Sequence, residues 1–166
     1  MARTQSRIEP CLWLDDQAEE AANFYVSVFR ACGRTAELGA VTRYGEGGPR
    51  PAGMVMTVDF ILDGIAFMAL NAGPQYPFTP AVSFTIRCAD QGEVDRFWDA
   101  LCEGGQPVQC GWLTDRYGLS WQITPDAMIE MIQGGDAKRA AAAIKAMMGM
   151  VKLDIAELKR AYDGAV

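Results

Sequence analysis

The chain has 166 residues, half of them apolar and 22% charged, with a net charge of −6 and a pI near 4.6. That composition suits a globular chain able to bury roughly 70% of its unfolded surface, and it excludes a disordered one. The acidic balance leaves no basic stripe to displace counterions from a nucleic acid or to meet an anionic membrane surface. In chain order, residues 7–14 predict a buried strand whose pairing Pro10 limits. Asp16 predicts a helix N-cap, with Glu19 three residues on as in a capping box. The helix runs through Ala21, Phe24, Tyr25 and Val28 at helical spacing and stops at Gly33. Strands are predicted over 35–44, 54–62 and 65–71. The loop 45–51, rich in Gly and Pro, separates the first two, and Asp63-Gly64 signals a hairpin turn between the others.

Residues 73–80 read as a linker carrying Gln75, Tyr76 and Phe78. A strand over 81–88 and a helix over 91–103 follow, and Gly104-Gly105 stops the helix. Short strands are expected over 108–113, 115–117 and 119–124. After Pro125, helices are expected over 126–133, 136–150 and 154–162, each opening on Asp. Met147, Met148 and Met150 suit either an adaptable binding face or plain packing.

The five cysteines (Cys11, Cys32, Cys88, Cys102, Cys110) are odd in number and never spaced Cys-x-x-Cys. They predict free, mostly buried thiols in a reducing cytoplasm, not a disulfide framework or a zinc knuckle. The first residues lead into a strand-like segment without a signal-peptide apolar core, and no apolar run approaches membrane-spanning length. The expected localisation is therefore cytoplasmic.

One pattern occurs twice. Asp16-Gln17-Ala18-Glu19 opens a stretch ending in Phe24-Tyr25, and Asp90-Gln91-Gly92-Glu93 opens one ending in Phe97-Trp98. A tight Gly followed by apolar alternation comes later in each half, at Gly64-Ile65-Ala66-Phe67-Met68 and Gly118-Leu119-Ser120-Trp121-Gln122. Each half reads βαβββ. The expected class is α+β: two tandem modules, roughly 7–72 and 81–125, within a body of 1–125, followed by a helical extension over 126–166.

A duplicated βαβββ unit resembles the vicinal oxygen chelate superfamily of glyoxalases, extradiol dioxygenases and bleomycin- and fosfomycin-resistance proteins. Within it, Trp13-Leu14-Asp15-Asp16-Gln17-Ala18-Glu19-Glu20-Ala21, Asn23-Phe24-Tyr25, Arg43-Tyr44-Gly45, Leu70-Asn71-Ala72-Gly73-Pro74, Cys110-Gly111-Trp112-Leu113 and the run from Asp115 to Ile123 resemble the PhnB-like family. The tail from Met147 to Asp154 fits it too. The resemblance implies a mixed-sheet half-barrel cleft and a homodimer. Members have often been labelled demethylubiquinone methyltransferases. This sequence lacks the Gly-rich strand-to-helix loop with a following acidic ribose-binding residue, and any parallel-sheet pattern, that would hold S-adenosylmethionine.

The superfamily's metal ligands come from the first and last strands of each module. Carried onto this chain, those positions are Glu9, Met68, Ser83 and Gln122, and there is no histidine anywhere. A thioether, a neutral hydroxyl and a carboxamide beside one carboxylate do not balance a hard or borderline divalent cation, so no metal and no other cofactor is expected. Without histidine, a Cys–His pair on Cys110 and a Ser–His–Asp triad are both impossible.

The expected partner is a small molecule. Gln122, at a ligand-equivalent position, should face it, which turns its strand neighbour Trp121 into the core. Trp112, Arg116 and Tyr117 are the candidate aromatic and cationic walls, against the alternative that residues 115–118 form a hairpin with Arg116 pairing a surface acid. Asn71 and Gln75 are candidate rim residues, Asn71 with a turn-stabilising alternative, and Ser83 and Met68 complete the set. Glu9 is a candidate general base if it faces the cleft, and otherwise an exposed strand-edge charge. Metal-assisted lyase or oxygenase chemistry, or metal-free acid–base chemistry, is the alternative to simple binding.

Overall fold

The computed structural model describes residues 8–165. The predicted strand start at Arg7 lies outside them. The first module runs β1 (Cys11–Leu14), α1 (Ala18–Ala31), β2 (Ala36–Arg43), β3 (Val55–Leu62), β4 (Ile65–Asn71). Its sheet has the order β1-β4-β3-β2, with β1 parallel to β4 and the other pairs antiparallel. The second runs β5 (Ser83–Cys88), α2 (Gln91–Cys102), β6 (Gln106–Pro107), β7 (Trp112–Thr114), β8 (Ser120–Pro125). Its order is β5-β8-β7-β6 with the same pattern of directions. Both are open four-stranded mixed sheets, so the chain is α+β with two βαβββ modules. Helices α3 (Asp126–Gln133), α4 (Ala137–Met148) and α5 (Ile155–Gly164) follow. The chain divides into two compact units between Phe78 and Thr79, and these three helices belong to the second. Among the described residues no helix is long and apolar enough to cross a membrane.

Each helix packs on one face of its own module's sheet. In the first, Ala21, Ala22, Tyr25 and Phe29 of α1 are buried with Leu12, Leu14, Val58, Phe60, Phe67 and Ala69. The three aromatic rings form a column, Tyr25 stacked on Phe60 at 6.0 Å and Phe60 on Phe67 at 5.2 Å. Each such ring contributes about 1.5–3 kcal/mol through burial alone. In the second, Val94, Phe97 and Leu101 of α2 are buried with Ile86, Leu113, Trp121 and Ile123. A further core of Met128, Met131, Ala143, Met150, Leu153 and Leu158 holds the last three helices together. The terminal methionines divide accordingly: Met150 is buried, Met147 packs against this core, and Met148 is exposed.

Three expectations need correction. The strands predicted over 108–113 and 115–117 are displaced. Cys110 (φ 61°) and Gly111 (φ 80°) both adopt left-handed backbone, and two such residues in succession reverse a chain. Their N–H groups bond to Met150 O and Val151 O, each at 2.8 Å, so the C-terminal segment takes donors that a strand would have used. Residues 115–118 are the turn between β7 and β8.

The capping box at Asp16 does not form either. Asp16 is exposed, the N-cap is Gln17, and no side chain of its own segment caps α1. The amide of Ala18 instead donates to Asn71 Oδ1 at 2.7 Å. The sheets explain the difference between modules. Asn71 sits beside Leu14 at the end of the parallel β1–β4 pair, where it supplies the acceptor. The corresponding partner of Cys88 is Pro125, which has no side-chain acceptor. In the second module Asp90 therefore caps α2 itself, accepting from the Glu93 amide at 2.8 Å, while Glu93 accepts from Ala89 N–H.

The thiols are also less buried than expected: Cys32 and Cys88 are buried, Cys102 and Cys110 are half-buried and Cys11 is exposed.

Candidate functional site

Strand alternation sorts the second sheet into two faces. Trp121 and Ile123 of β8 turn toward α2, and Trp121 is 1% exposed, as its expected core role requires. Gln122 stands on the opposite face. The β7–β8 register makes Trp112 its direct cross-strand partner, and the parallel β5–β8 register sets Thr85 on its other side. Gln122 Nε2 donates to Ser83 Oγ at 2.9 Å. Ser83, Thr85, Gln122 and Trp112 thus form a polar patch with one indole on the face turned away from α2. Thr85 was not singled out from the sequence, although the repeat would have found it at the equivalent of Cys11.

Arg116 and Tyr117 do not join this group. Both lie in the turn organised by Asp115, which is buried and accepts hydrogen bonds from Tyr117 N (2.9 Å), Leu119 N (3.1 Å) and Trp121 Nε1 (2.8 Å). Arg116 turns back to the end of α2. Its Nε donates to Glu103 O at 3.2 Å and its guanidinium lies 3.6 Å from the Glu103 carboxylate. A cation there meets the partial negative charge of a helix C-terminus. The expected wall of Trp112 and Arg116 is therefore not assembled, because Arg116 goes to the helix side and Trp112 to the other.

In the first sheet the face turned away from α1 carries Cys11 and Trp13 from β1, Met68 and Leu70 from β4, and Thr57 and Asp59 from β3. The registers place Cys11 and Asp59 directly on either side of Met68. Asp59 is exposed. It was missed in the sequence, yet the signal was there. The two-residue turn at Asp63-Gly64, both with positive φ, fixes the hairpin register, and counting outward from it puts Asp59 opposite Met68. Glu9 is exposed and precedes β1. Its carboxylate acts on Cys11, whose thiol is pushed up first by burial and then by that charge.

Asn71 is not a rim residue. It is 1% exposed, its Oδ1 caps α1, its Nδ2 donates to Val55 O at 3.0 Å, and its carbonyl accepts from Tyr44 Oη at 2.6 Å. Gln75 is exposed and donates to Ala72 O at 3.0 Å, closing the turn after Gly73. Beside it Tyr76 meets the Trp13 ring edge-on at 4.9 Å, while Trp13 Nε1 donates to Gly73 O at 2.8 Å.

The donor set at the metal-equivalent positions does not fit a divalent ion. Glu9 stands outside its strand, Met68 offers a thioether, and Ser83 and Gln122 are neutral and bonded to each other. Among the described residues no three His, Cys, Asp or Glu side chains converge as a metal site would need.

Residues 6–124 match the family described as 3-demethylubiquinone-9 3-methyltransferase. Among solved structures, the PhnB protein from Bacillus cereus is 33% identical, over 72% of this chain and 99% of that one, with a TM-score of 0.64. Protein PA1353 from Pseudomonas aeruginosa is 26% identical, over 73% and 98%, with a TM-score of 0.57. A glyoxalase/bleomycin resistance protein from Albidiferax ferrireducens T118 is 16% identical, over 70% and 95%, with a TM-score of 0.45. None of the curated proteins compared matches the chain. The match over 6–124 and the 33% identity to the PhnB protein make one statement: the chain belongs to this PhnB-like family, described as 3-demethylubiquinone-9 3-methyltransferase.

Proposed function

We propose that this protein binds a small molecule without a metal ion, and that Gln122, Ser83 and Trp112 contact it. The observation that carries this reading is the neutral, mutually bonded Ser83–Gln122 pair beside the Trp112 indole. It occupies positions where superfamily enzymes hold a metal. A carboxamide and a hydroxyl fix orientation by hydrogen bonds, and an indole supplies apolar area, which is what a pocket for an organic molecule needs. They supply no Lewis acid, so lyase or oxygenase chemistry of the metal-assisted kind has no support in this donor set. Methyl transfer from S-adenosylmethionine is also not favoured. Both sheets are mixed, with a single parallel pair each, and lack the doubly wound parallel edge at which such cofactors sit.

The test is a thermal-shift screen of small molecules and divalent ions on chelator-treated protein, followed by calorimetry. A metal present at a hundred times its Kd adds about 2.7 kcal/mol to stability; zinc, nickel and manganese are expected to give no such gain. For a hit, Gln122→Ala is expected to weaken binding about tenfold, the effect of one buried hydrogen bond. A metal-dependent gain that Gln122→Ala removes overturns the reading. The same proposal includes the homodimer that the family resemblance implies, which sedimentation equilibrium tests.

A further inference from the structure

The residues at the metal-equivalent positions disagree with a metal, and the disagreement changes the kind of ligand the first module's sheet suits. A divalent ion presents positive charge and so collects anionic oxygens from its ligand. Here the donor set does not suit such an ion, while the same face carries a carboxylate beside Met68. Asp59 stands at one end of the row Cys11–Met68–Asp59, beside Met68, on the face turned from α1. No ion pair or side-chain hydrogen bond occupies it among the described residues. Gly39 lies against it from β2: a Cβ there would come within 3.0 Å of both the Asp59 Cβ and its carbonyl oxygen. The absence of a side chain at Gly39 therefore keeps the carboxylate uncovered. Of the other charged positions on or beside this face, Glu37, opposite Ile61, and Glu9, before β1, are acidic, while Arg43, opposite Val55 at the end of β2, gives its guanidinium to Gly53 O at 3.0 Å. Its uncharged positions include the Met68 thioether and the Trp13 indole, which Tyr76 meets edge-on from beyond β4, beside Cys11, Thr57 and Leu70. A cation with an apolar body meets both requirements: a counter-charge, and π faces or sulfur against its alkyl or aryl groups.

We infer that the first module's sheet, on the face turned away from α1, binds a cationic organic molecule of the alkyl- or arylammonium class, with Asp59 as its counter-charge and Trp13 and Met68 as its apolar contacts. This rests on the reading that the protein binds small molecules without a metal, and adds a site on the first module's own sheet, with the charge class it selects.

The probes are benzyltrimethylammonium chloride and its anionic counterpart sodium phenylacetate, titrated into the full chain while the Trp13 indole N–H resonance is followed by NMR. The ammonium probe is expected to shift that resonance saturably and phenylacetate is not. Asp59→Asn keeps the shape of an exposed side chain and is expected to weaken the ammonium probe about tenfold with the melting temperature unchanged. Gly39→Ala, which crowds Asp59, is expected to weaken it as well. Equal binding of phenylacetate, or unchanged affinity in Asp59→Asn, overturns the inference. If ligands from the thermal-shift screen depend on Gln122 but not on Asp59, the binding role stands and only the cationic class falls. If neither variant affects any ligand, both readings fall.

Discussion

At the scale of single residues, Asp115 and Asn71 show how a short polar side chain becomes a structural centre once buried. Asp115 offers its carboxylate to three donors, two backbone amides and the Trp121 indole. Three converging donors satisfy the carboxylate and tie the β7–β8 turn to Trp121, the largest buried side chain of the module. Asp115→Ala leaves all three donors without that acceptor in a buried place. It is expected to lower unfolding free energy by about 3 kcal/mol, read as a shift of the urea midpoint. Trp121→Phe, which removes one of the three bonds and keeps most of the ring, is expected to cost clearly less. An Asp115→Ala midpoint equal to that of the unchanged protein would show that the turn closes without its carboxylate. In the sequence, the string Asp115-Arg116-Tyr117-Gly118 supported both a ligand wall and a hairpin. Only the burial of Asp115 and the turn of Arg116 toward Glu103 separate them.

Among elements, the segment between α4 and α5 is the one whose placement is most chemical. Lys152 Nζ lies 3.0 Å from Asp95 and 3.6 Å from Asp99, both on α2. Next to it Gln91 donates to Leu153 O at 3.0 Å and accepts from Ile155 N–H at 2.9 Å, so one side chain of α2 clasps the start of α5. The hydrogen bond from Lys152 is the main reason the Asp95 carboxyl is held below its usual range, with Gln91 next. The hydrogen bond to Asp95 in turn raises the Lys152 ammonium. The signs follow from linkage. The lowered Asp95 contributes stability present above about pH 4 and lost as pH falls through its folded value. The raised Lys152 contributes stability present below about pH 10.4 and lost as pH rises through its own folded value. Because 37% of the Lys152 side chain and 43% of that of Asp95 are exposed, solvent screens the pair and its worth is about 0.5 kcal/mol. Lys152→Met is expected to lower the melting temperature slightly at about pH 7, with the difference shrinking at about pH 2 and in ~1 M salt. A difference that persists in high salt would assign the effect to packing of the Lys152 stem instead.

For the whole molecule, the sequence suggested a body ending at residue 125 and a helical extension after it, whereas the compact unit that contains the second module runs on through α5. The contacts give the reason. Gly111, whose N–H bonds to Val151 O and whose carbonyl accepts from Ile123 N–H, leaves room for Leu153: a Cβ at 111 would lie 2.8 Å from that side chain. Leu153 and Leu158 are almost fully buried. A chain ending at Pro125 strips the partners from Gln91, Cys110 and Gly111 and uncovers that apolar contact. It is expected to lose the dispersed NMR resonances of Trp121 and Ile123 while the first module keeps its own. A truncated chain with wild-type dispersion in both modules would make the helices a separable addition.

The repeat of helix-opening Asp, aromatic helix end and tight Gly determined by itself that there are two βαβββ modules, because period and turn chemistry are local properties that a sequence displays directly. The Asp63-Gly64 turn even determined the hairpin register, and with it the place of Asp59 beside Met68. Strand alternation likewise puts Trp121 and Gln122 on opposite faces. What the tertiary structure alone decided is which polar groups find one another. Asn71 caps a helix that begins 53 residues earlier, Arg116 abandons Trp112 for the end of α2, and the donors of Cys110 and Gly111 go to a segment beyond α4. The first and last depend on parallel pairing or on the return of a distant segment, and Arg116 reaches back 13 residues past two strands; no local pattern encodes the partner of such a hydrogen bond.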